Sequence, residues 1–286
     1  MPFEPSDEVA QYNMARWHAL AQANALFTRP YLDLDTTAAR ERLDPDGRLG
    51  DVTGKRVLCV AGGGGRQSAA FALLGANVTV FDLSSDQLQR DQAAAAHYNL
   101  TIKIEQGDMR DLTRFAPASF DIVWQPYSLN FVPDARGMFR EVAQVIRPGG
   151  LYSVMCANPF TCGITSQDWA GDGYPIRTPY RDDAEITSAD EAWVFATDAT
   201  ETEDAPAAPV FPPREYRHTL GTLISGLADS GFVLWRLDEH THQTPGATPA
   251  SWEHFTSFAP PWFTLWVVQR PELPPPPAQR TYEMEA

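Results

Sequence analysis

Four consecutive glycines, Gly62 to Gly65, follow an apolar run at 57–60, and one acid, Asp82, ends the next β-branched run. Glycines in such a loop let the backbone turn sharply and come close to a ligand, and the helix that follows offers it free N–H groups. An acid at the tip of the second strand is placed to accept hydrogen bonds from a ribose diol. The chemistry implied is the holding of an adenosine-bearing cofactor. Gly63, Gly65 and Ser68 also approximate the G-x-G-x-x-G/A spacing of a dinucleotide site, a match that is weak when it stands alone.

Positioning these residues requires a parallel sheet with crossover helices, and the chain alternates accordingly. Strands are expected at 57–60, 77–81, 101–106, 120–124 and 151–156. The helix after the glycines ends at Gly75, which suits a left-handed C-terminal cap. Ser84 with Gln87 three residues on reads as a capping box for the next helix. Asp134 caps a helix whose apolar face is Met138, Phe139, Val142, Val145 and Ile146, and Pro148-Gly149-Gly150 stops it. Residues 8–44 read as amphipathic helix interrupted at Pro30. From 157 to 217 the rhythm breaks into Pro, Gly and polar residues, with one short strand expected at 193–195 and a solvated acidic run at 182–204. A structureless loop of that length is unusual, so a lid or substrate-covering insertion is expected there. A helix capped by Thr219 and closed by Gly231 follows, then strands at 232–237 and 262–268 separated by a Pro-rich loop. The division expected is a helical cap at 1–50, a catalytic domain at 51–270 and a Pro-rich tail at 271–286.

Composition narrows the function. A formal charge of −15 with only two lysines, Lys55 and Lys103, argues against a nucleic-acid partner, which needs clustered basic residues. The three cysteines (Cys59, Cys156, Cys162) show no metal-ligand spacing, so neither a disulfide framework nor a metal site is expected. No apolar run approaches the ~20 residues of a membrane span, and the acidic start lacks the form of a secretory signal. The expectation is a cytoplasmic protein without nucleic-acid or membrane partners; its oligomeric state is not legible.

Four phrases, VLCVAGGGG, FDLS, QGDMRDL and FDIVWQPYSLNFVPD running into FREVAQVIRPGGLY, give the chain a family resemblance. It resembles the class I S-adenosylmethionine-dependent methyltransferases, particularly those acting on small molecules. The resemblance implies a Rossmann-like three-layer α/β sandwich with a mostly parallel seven-stranded sheet and an antiparallel C-terminal edge strand. It implies S-adenosylmethionine as cofactor, with Ala61, Gly63 and Gly65 beneath its methionine and ribose. Asp82 would take the ribose hydroxyls, Leu83 the adenine face, Asp108 the adenine amino group and Met109 the ring, and Gln125 would line the methionine end. Arg66 would reach the cofactor's methionine carboxylate or an anionic acceptor, or else point to solvent. The sequence departs from the family at Cys59, where an acid is usual, and at Ala61, where glycine is usual. Two alternatives stand beside this reading: an NAD(P)-dependent oxidoreductase, and a cofactor-binding protein without catalysis.

Methyl transfer asks the protein to hold an acceptor atom in line, exclude water and, for a hydroxyl acceptor, remove a proton. The candidates are Tyr12 on the N-terminal helix, Tyr127 and Asn130 after the fourth strand, and His218 as general base. Trp252, Phe255, Phe258, Trp262 and Trp266 are expected to pack the edge strands rather than to cage a ligand.

Overall fold

The computed structural model describes residues 3–186 and 210–270. The strand expected at 193–195, most of the acidic run and the proline-rich tail lie outside them. Seven strands form one sheet: β1 (Arg56–Val60), β2 (Asn77–Asp82), β3 (Lys103–Gln106), β4 (Phe120–Gln125), β5 (Ile146–Ala157), and the closing pair Phe232–Glu239 and Trp262–Gln269. A two-residue pair, β6 (Glu185–Ile186) and β7 (Glu215–Tyr216), forms a small second sheet, so the closing strands are β8 and β9. The order is β3-β2-β1-β4-β5-β9-β8. Strands β1 to β5 pair in parallel, and β9 runs antiparallel to both β5 and β8. The antiparallel strand is thus the C-terminal one, and it inserts between β5 and β8, leaving β8 at the edge.

Apolar cores lie on both faces. Val57, Leu58, Cys59 and Val60 of β1 are all fully buried, as expected of a central parallel strand covered on both sides. One face is covered by α5 (Ala135–Val145) and α6 (Leu220–Asp229), which contribute Met138, Phe139, Val142, Leu223 and Leu227 to its core. The other is covered by α2 (Thr36–Leu43), α3 (Gln67–Leu73) and α4 (Ser85–His97). Helix α1 (Glu8–Gln22) packs on α4. The expected N-caps form: Ser84 Oγ accepts from Gln87 N at 3.3 Å, Asp134 from Gly137 N at 2.8 Å, and Thr219 from Thr222 N at 3.2 Å, but the box at Ser84 is not completed, because its N–H donates to Asp82 at 2.8 Å rather than to Gln87.

Two local features differ from expectation. Strand β5 starts at Ile146, directly after α5, and Pro148-Gly149-Gly150 makes an irregularity within it. The register jumps there, from Phe120 opposite Ile146 to Ile122 opposite Leu151. A Cβ on Gly150 would stand 2.6 Å from Ile146 Cγ1, so only glycine fits the turn. A seven-residue helix, α7 (Trp252–Phe258), occupies the Pro-rich connection between β8 and β9, started by Ser251 accepting from His254 N at 3.1 Å. Among the described residues, no helix is long and apolar enough to cross a membrane.

Candidate functional site

The loop from β1 to α3 is held by two carboxylates. Asp82 at the end of β2 accepts from Gly63 N at 2.9 Å through one oxygen and from Ser84 N at 2.8 Å through the other. Asp91 on α4 accepts from Gly64 N at 2.8 Å and from the hydroxyl of Ser68 on α3. Asp91 is fully buried and Asp82 half-buried. Desolvation pushes the carboxyl of Asp82 upward against its N–H partners, and that of Asp91 up to about 7. Asp91 thus places a carboxylate behind the loop from α4, where β1 offers only the buried thiol of Cys59. No motif around Asp91 marks it in the sequence; only its position two turns into α4, above the glycines, could have done so.

The backbone of the loop is demanding. Ala61 sits at φ +46°, in the left-handed region where a Cβ costs about 1–2 kcal/mol, and its N–H donates to Phe81 O at 2.7 Å. A Cβ on Gly63 would lie 2.7 Å from Gln87 Cβ and 3.0 Å from Asp82 Cγ. One on Gly65 would meet Arg90 O at 2.7 Å, so this glycine seats the loop on α4 and does not face the cavity.

A single cavity of about 1240 Å³ extends from this loop. Ala61, Gly63, Arg66, Asp82, Leu83, Asp108 and Met109 line one end of it, as seven of the nine expected cofactor residues. Gln125 lies behind the wall: its amide donates to Ser128 Oγ at 3.1 Å and contacts Met109 Sδ at 3.5 Å, while Tyr152 donates to its carbonyl. Asp108 carries a second engagement that the sequence does not reveal. Arg110 grips its carboxylate with Nε 3.0 Å from each oxygen and also donates to Asp7, the N-cap of α1, at 2.7 Å. The cavity wall is thereby tied to the start of α1. Arg66 donates to Phe27 O at 3.0 Å and to the Tyr31 hydroxyl, and its guanidinium lies over the Tyr31 ring.

The expected catalytic residues separate. Tyr127 lines the cavity, and its hydroxyl donates to Glu215 on β7. His218 does not line it: the ring is 2% exposed, its Nε2 donates to Leu129 O at 3.1 Å, and burial lowers its basicity. Asn130 is likewise structural, donating to Tyr216 O at 2.9 Å and accepting from Ala157 N at 2.8 Å. Tyr12 turns outward and donates to Pro212 O at 2.8 Å, whereas Asn13 and Trp17 of the same helix do line the cavity. The aromatic residues divide too. Trp252, Phe255 and Trp262 line the cavity, contrary to the packing role expected of them, while Trp266 is buried against Trp124 and Phe258 is exposed. They reach the cavity because α7, absent from the sequence expectation, presents Trp252 and Phe255 beside Trp262.

Glu215 is the ionisable cavity residue that the sequence did not single out. It is 6% exposed, lines the cavity and is drawn up to about 7 by burial, although the Tyr127 hydroxyl and the charge of Arg16 oppose the shift. In the phrase EYRHTL the histidine two residues from Tyr216 draws attention first. The β6–β7 pairing turns Glu215 inward.

A family model described as "Methyltransferase domain" matches residues 58–154. The uncharacterized methyltransferase YbaJ of Bacillus subtilis (strain 168) is 30% identical over 187 residues, covering 64% of this chain and 68% of that protein. A ubiquinone biosynthesis O-methyltransferase of Pseudomonas syringae pv. tomato is 33% identical over 111 residues, 38% of this chain and 48% of its own. Among solved structures, an S-adenosylmethionine-dependent methyltransferase from Mesorhizobium loti superposes with a TM-score of 0.61 at 23% identity, covering 84% of this chain and all of that one. At that identity it establishes the fold. The matched segment runs from β1 to β5 and includes the glycine loop, Asp82 and Asp108; with the YbaJ relationship it decides between the cofactor classes left open by the glycine spacing. The chain belongs to the class I S-adenosylmethionine-dependent methyltransferases.

Proposed function

We propose that this protein transfers a methyl group from S-adenosylmethionine to a small-molecule acceptor held in the same cavity. The observation that carries this is the cavity itself. At about 1240 Å³ it exceeds the ~300–1,000 Å³ usual for one ligand, and its two ends differ in chemistry. Asp82, Asp108, Arg66 and Arg110 line it around the glycine loop beside Trp17 and Phe27, while Tyr127, Phe131, Trp252, Phe255 and Trp262 form a joined aromatic wall. A cofactor at the first end leaves room for a modest acceptor at the second.

The residues around the glycine loop suit the cofactor. Gly63 lines the cavity where a Cβ would collide with Gln87 and Asp82, and Asp82 keeps acceptor capacity for ribose hydroxyls beyond its two backbone bonds. Arg66 Nε and Gln87 Nε2 are buried donors without a hydrogen-bond partner among the described residues, and both side chains line the cavity. Such unsatisfied donors cost about 1–3 kcal/mol each, so a ligand that supplies acceptors is favoured there. Asp82 would hold the ribose, Leu83 and Met109 the adenine, and Arg66 the carboxylate. When bound, S-adenosylmethionine supplies an electrophilic methyl carbon on a cationic sulfur. The chain holds the acceptor against it and keeps water out with the aromatic walls. The N-terminal helices and the described start of the segment after β5, where Thr161 to Ser166 line the cavity, act as its cover.

The test is turnover: the full chain, incubated with S-adenosylmethionine and a panel of small hydroxyl, amine and thiol compounds, is expected to release S-adenosylhomocysteine with a methylated product seen by mass spectrometry. Binding of S-adenosylhomocysteine without turnover of any small acceptor would instead favour a binding protein.

A further inference from the structure

At the apolar end of the cavity one ionisable pair stands among aromatic walls. Tyr127 follows β4, Glu215 sits on β7, and the Tyr127 hydroxyl donates to Glu215 Oε1. Both line the cavity, and Tyr127 is the one hydrogen-bond donor to Glu215 among the described residues. Tyr127 packs edge-on against Phe131 and Trp262, with ring centroids 6.0 and 6.2 Å apart. Trp252 and Phe255 complete the wall. A carboxylate is costly in such surroundings, and its presence where the acceptor must lie calls for a function.

Resting on the methyltransferase reading above, we infer that Tyr127 and Glu215 are the proton-accepting pair of the acceptor site, and that the acceptor is an uncharged molecule methylated on a hydroxyl borne by an aromatic body. Charge in the cavity separates this from the alternatives. The arginines that line the cavity, Arg66 and Arg110, are at the cofactor end and bonded there, to Phe27 and Tyr31 in one case and to Asp108 and Asp7 in the other. An anionic acceptor would meet Glu215 with no lining cation beside it among the described residues. A cationic acceptor would find the charge of Glu215 already opposed by the buried guanidinium of Arg16 and by the Tyr127 hydroxyl. A neutral, flat hydroxyl compound suits the walls and the pair alike.

The proton balance is simple. As the acceptor O–H bond breaks, its proton passes to the Tyr127 oxygen while Tyr127 passes its own to Glu215. The electron pair left on the acceptor oxygen forms the bond to the methyl carbon, and the carbon–sulfur pair stays on sulfur. Glu215 ends protonated and returns its proton to solvent. The neighbours facing Glu215 are Tyr127, Arg16 and Cys162. Burial keeps the Tyr127 phenol and the Cys162 thiol protonated, the thiol up at about 12, while Arg16 is lowered only to about 10. Glu215, at about 7, is therefore the member of the group that titrates near neutrality.

The experiment uses the full chain with S-adenosylmethionine and three probe sets: catechol and the naphthols, aniline and benzylamine, and 4-hydroxybenzoate. The neutral hydroxyarenes are expected to be methylated, with kcat/KM rising on acid-to-neutral titration to a plateau above pH 7. E215Q and Y127F should each lower kcat by about 10²-fold or more and flatten that rise, while S-adenosylhomocysteine affinity, which also reports folding, stays within about threefold. Turnover by E215Q with the wild-type pH profile overturns the inference, as does methylation confined to amines or the anion, or no turnover of any hydroxyarene. Failure of the wild type to bind S-adenosylhomocysteine at all would instead overturn the underlying methyltransferase reading.

Discussion

Removing the Asp91 carboxylate tests how the glycine loop is held. Asp91→Ala strips the acceptor from two donors at once, Gly64 N–H at 2.8 Å and the Ser68 hydroxyl, and Asp91 is fully buried. A buried donor left without a partner costs about 1–3 kcal/mol, so the pair sums to roughly 2–6 kcal/mol. That is a large share of the ~5–15 kcal/mol of an ordinary domain. Asp91→Asn should cost less than about 1 kcal/mol, since the amide oxygen can accept from Gly64 while its NH2 donates to a rotated Ser68 hydroxyl. The pH dependence gives the same residue a second signature. Its folded-state carboxyl, at about 7, lies above the ordinary 3.8, so the native state holds a proton that the unfolded chain has released between those values. Stability from this group is fully present below about pH 4 and is lost as pH rises toward 7, with a slope of up to about 1.4 kcal/mol per pH unit. Glu215 acts with the same sign between 4.5 and about 7. Urea unfolding at pH 5.5 and 7.5 should therefore show wild type losing more stability across that interval than D91N. C59D, which buries a second acid near Asp91, should be severely destabilising alone and partly restored in C59D/D91N. A D91A protein as stable as wild type, or D91N with an unchanged pH slope, would refute it.

Three further outcomes are expected. Ala61→Gly relieves a left-handed alanine and should raise stability by about 1 kcal/mol without weakening S-adenosylhomocysteine binding, read by thermal shift and calorimetry. His218→Ala breaks the bond to Leu129 O and should cost about 1–3 kcal/mol in stability while leaving the pH midpoint of kcat/KM in place, because the ring stands outside the cavity. Arg110→Ala unties Asp108 from Asp7 and should speed release of S-adenosylhomocysteine in stopped-flow measurements, with faster proteolysis at the N-terminus.

The sheet and the cofactor end were legible because each rests on local signals. Strand alternation, the caps at Ser84, Asp134 and Thr219, and the spacing from Gly62 to Asp82 are read within a few residues of one another. The aromatic wall of the cavity was not legible for the opposite reason. Glu215 meets Tyr127 across 88 residues of chain, through a two-residue strand pairing that carries no pattern of its own. His218 offered the more familiar chemistry, but the turn into α6 spends it on Leu129 O. Asp91 was hidden inside a regular amphipathic helix, where an acid reads as solvated surface. Helix α7 escaped because seven residues between prolines fall below the length at which periodicity speaks, and with it went the aromatic wall.

The most direct measurement is calorimetric titration of the purified chain with S-adenosylhomocysteine and, separately, with NAD and NADP. One saturable site for S-adenosylhomocysteine is expected, lost in Gly63→Val because a Cβ there already meets Gln87 at 2.7 Å, with no heat from either dinucleotide. Heat from a dinucleotide alone, or S-adenosylhomocysteine binding untouched by the Gly63 substitution, would contradict the placement of the cofactor on the glycine loop.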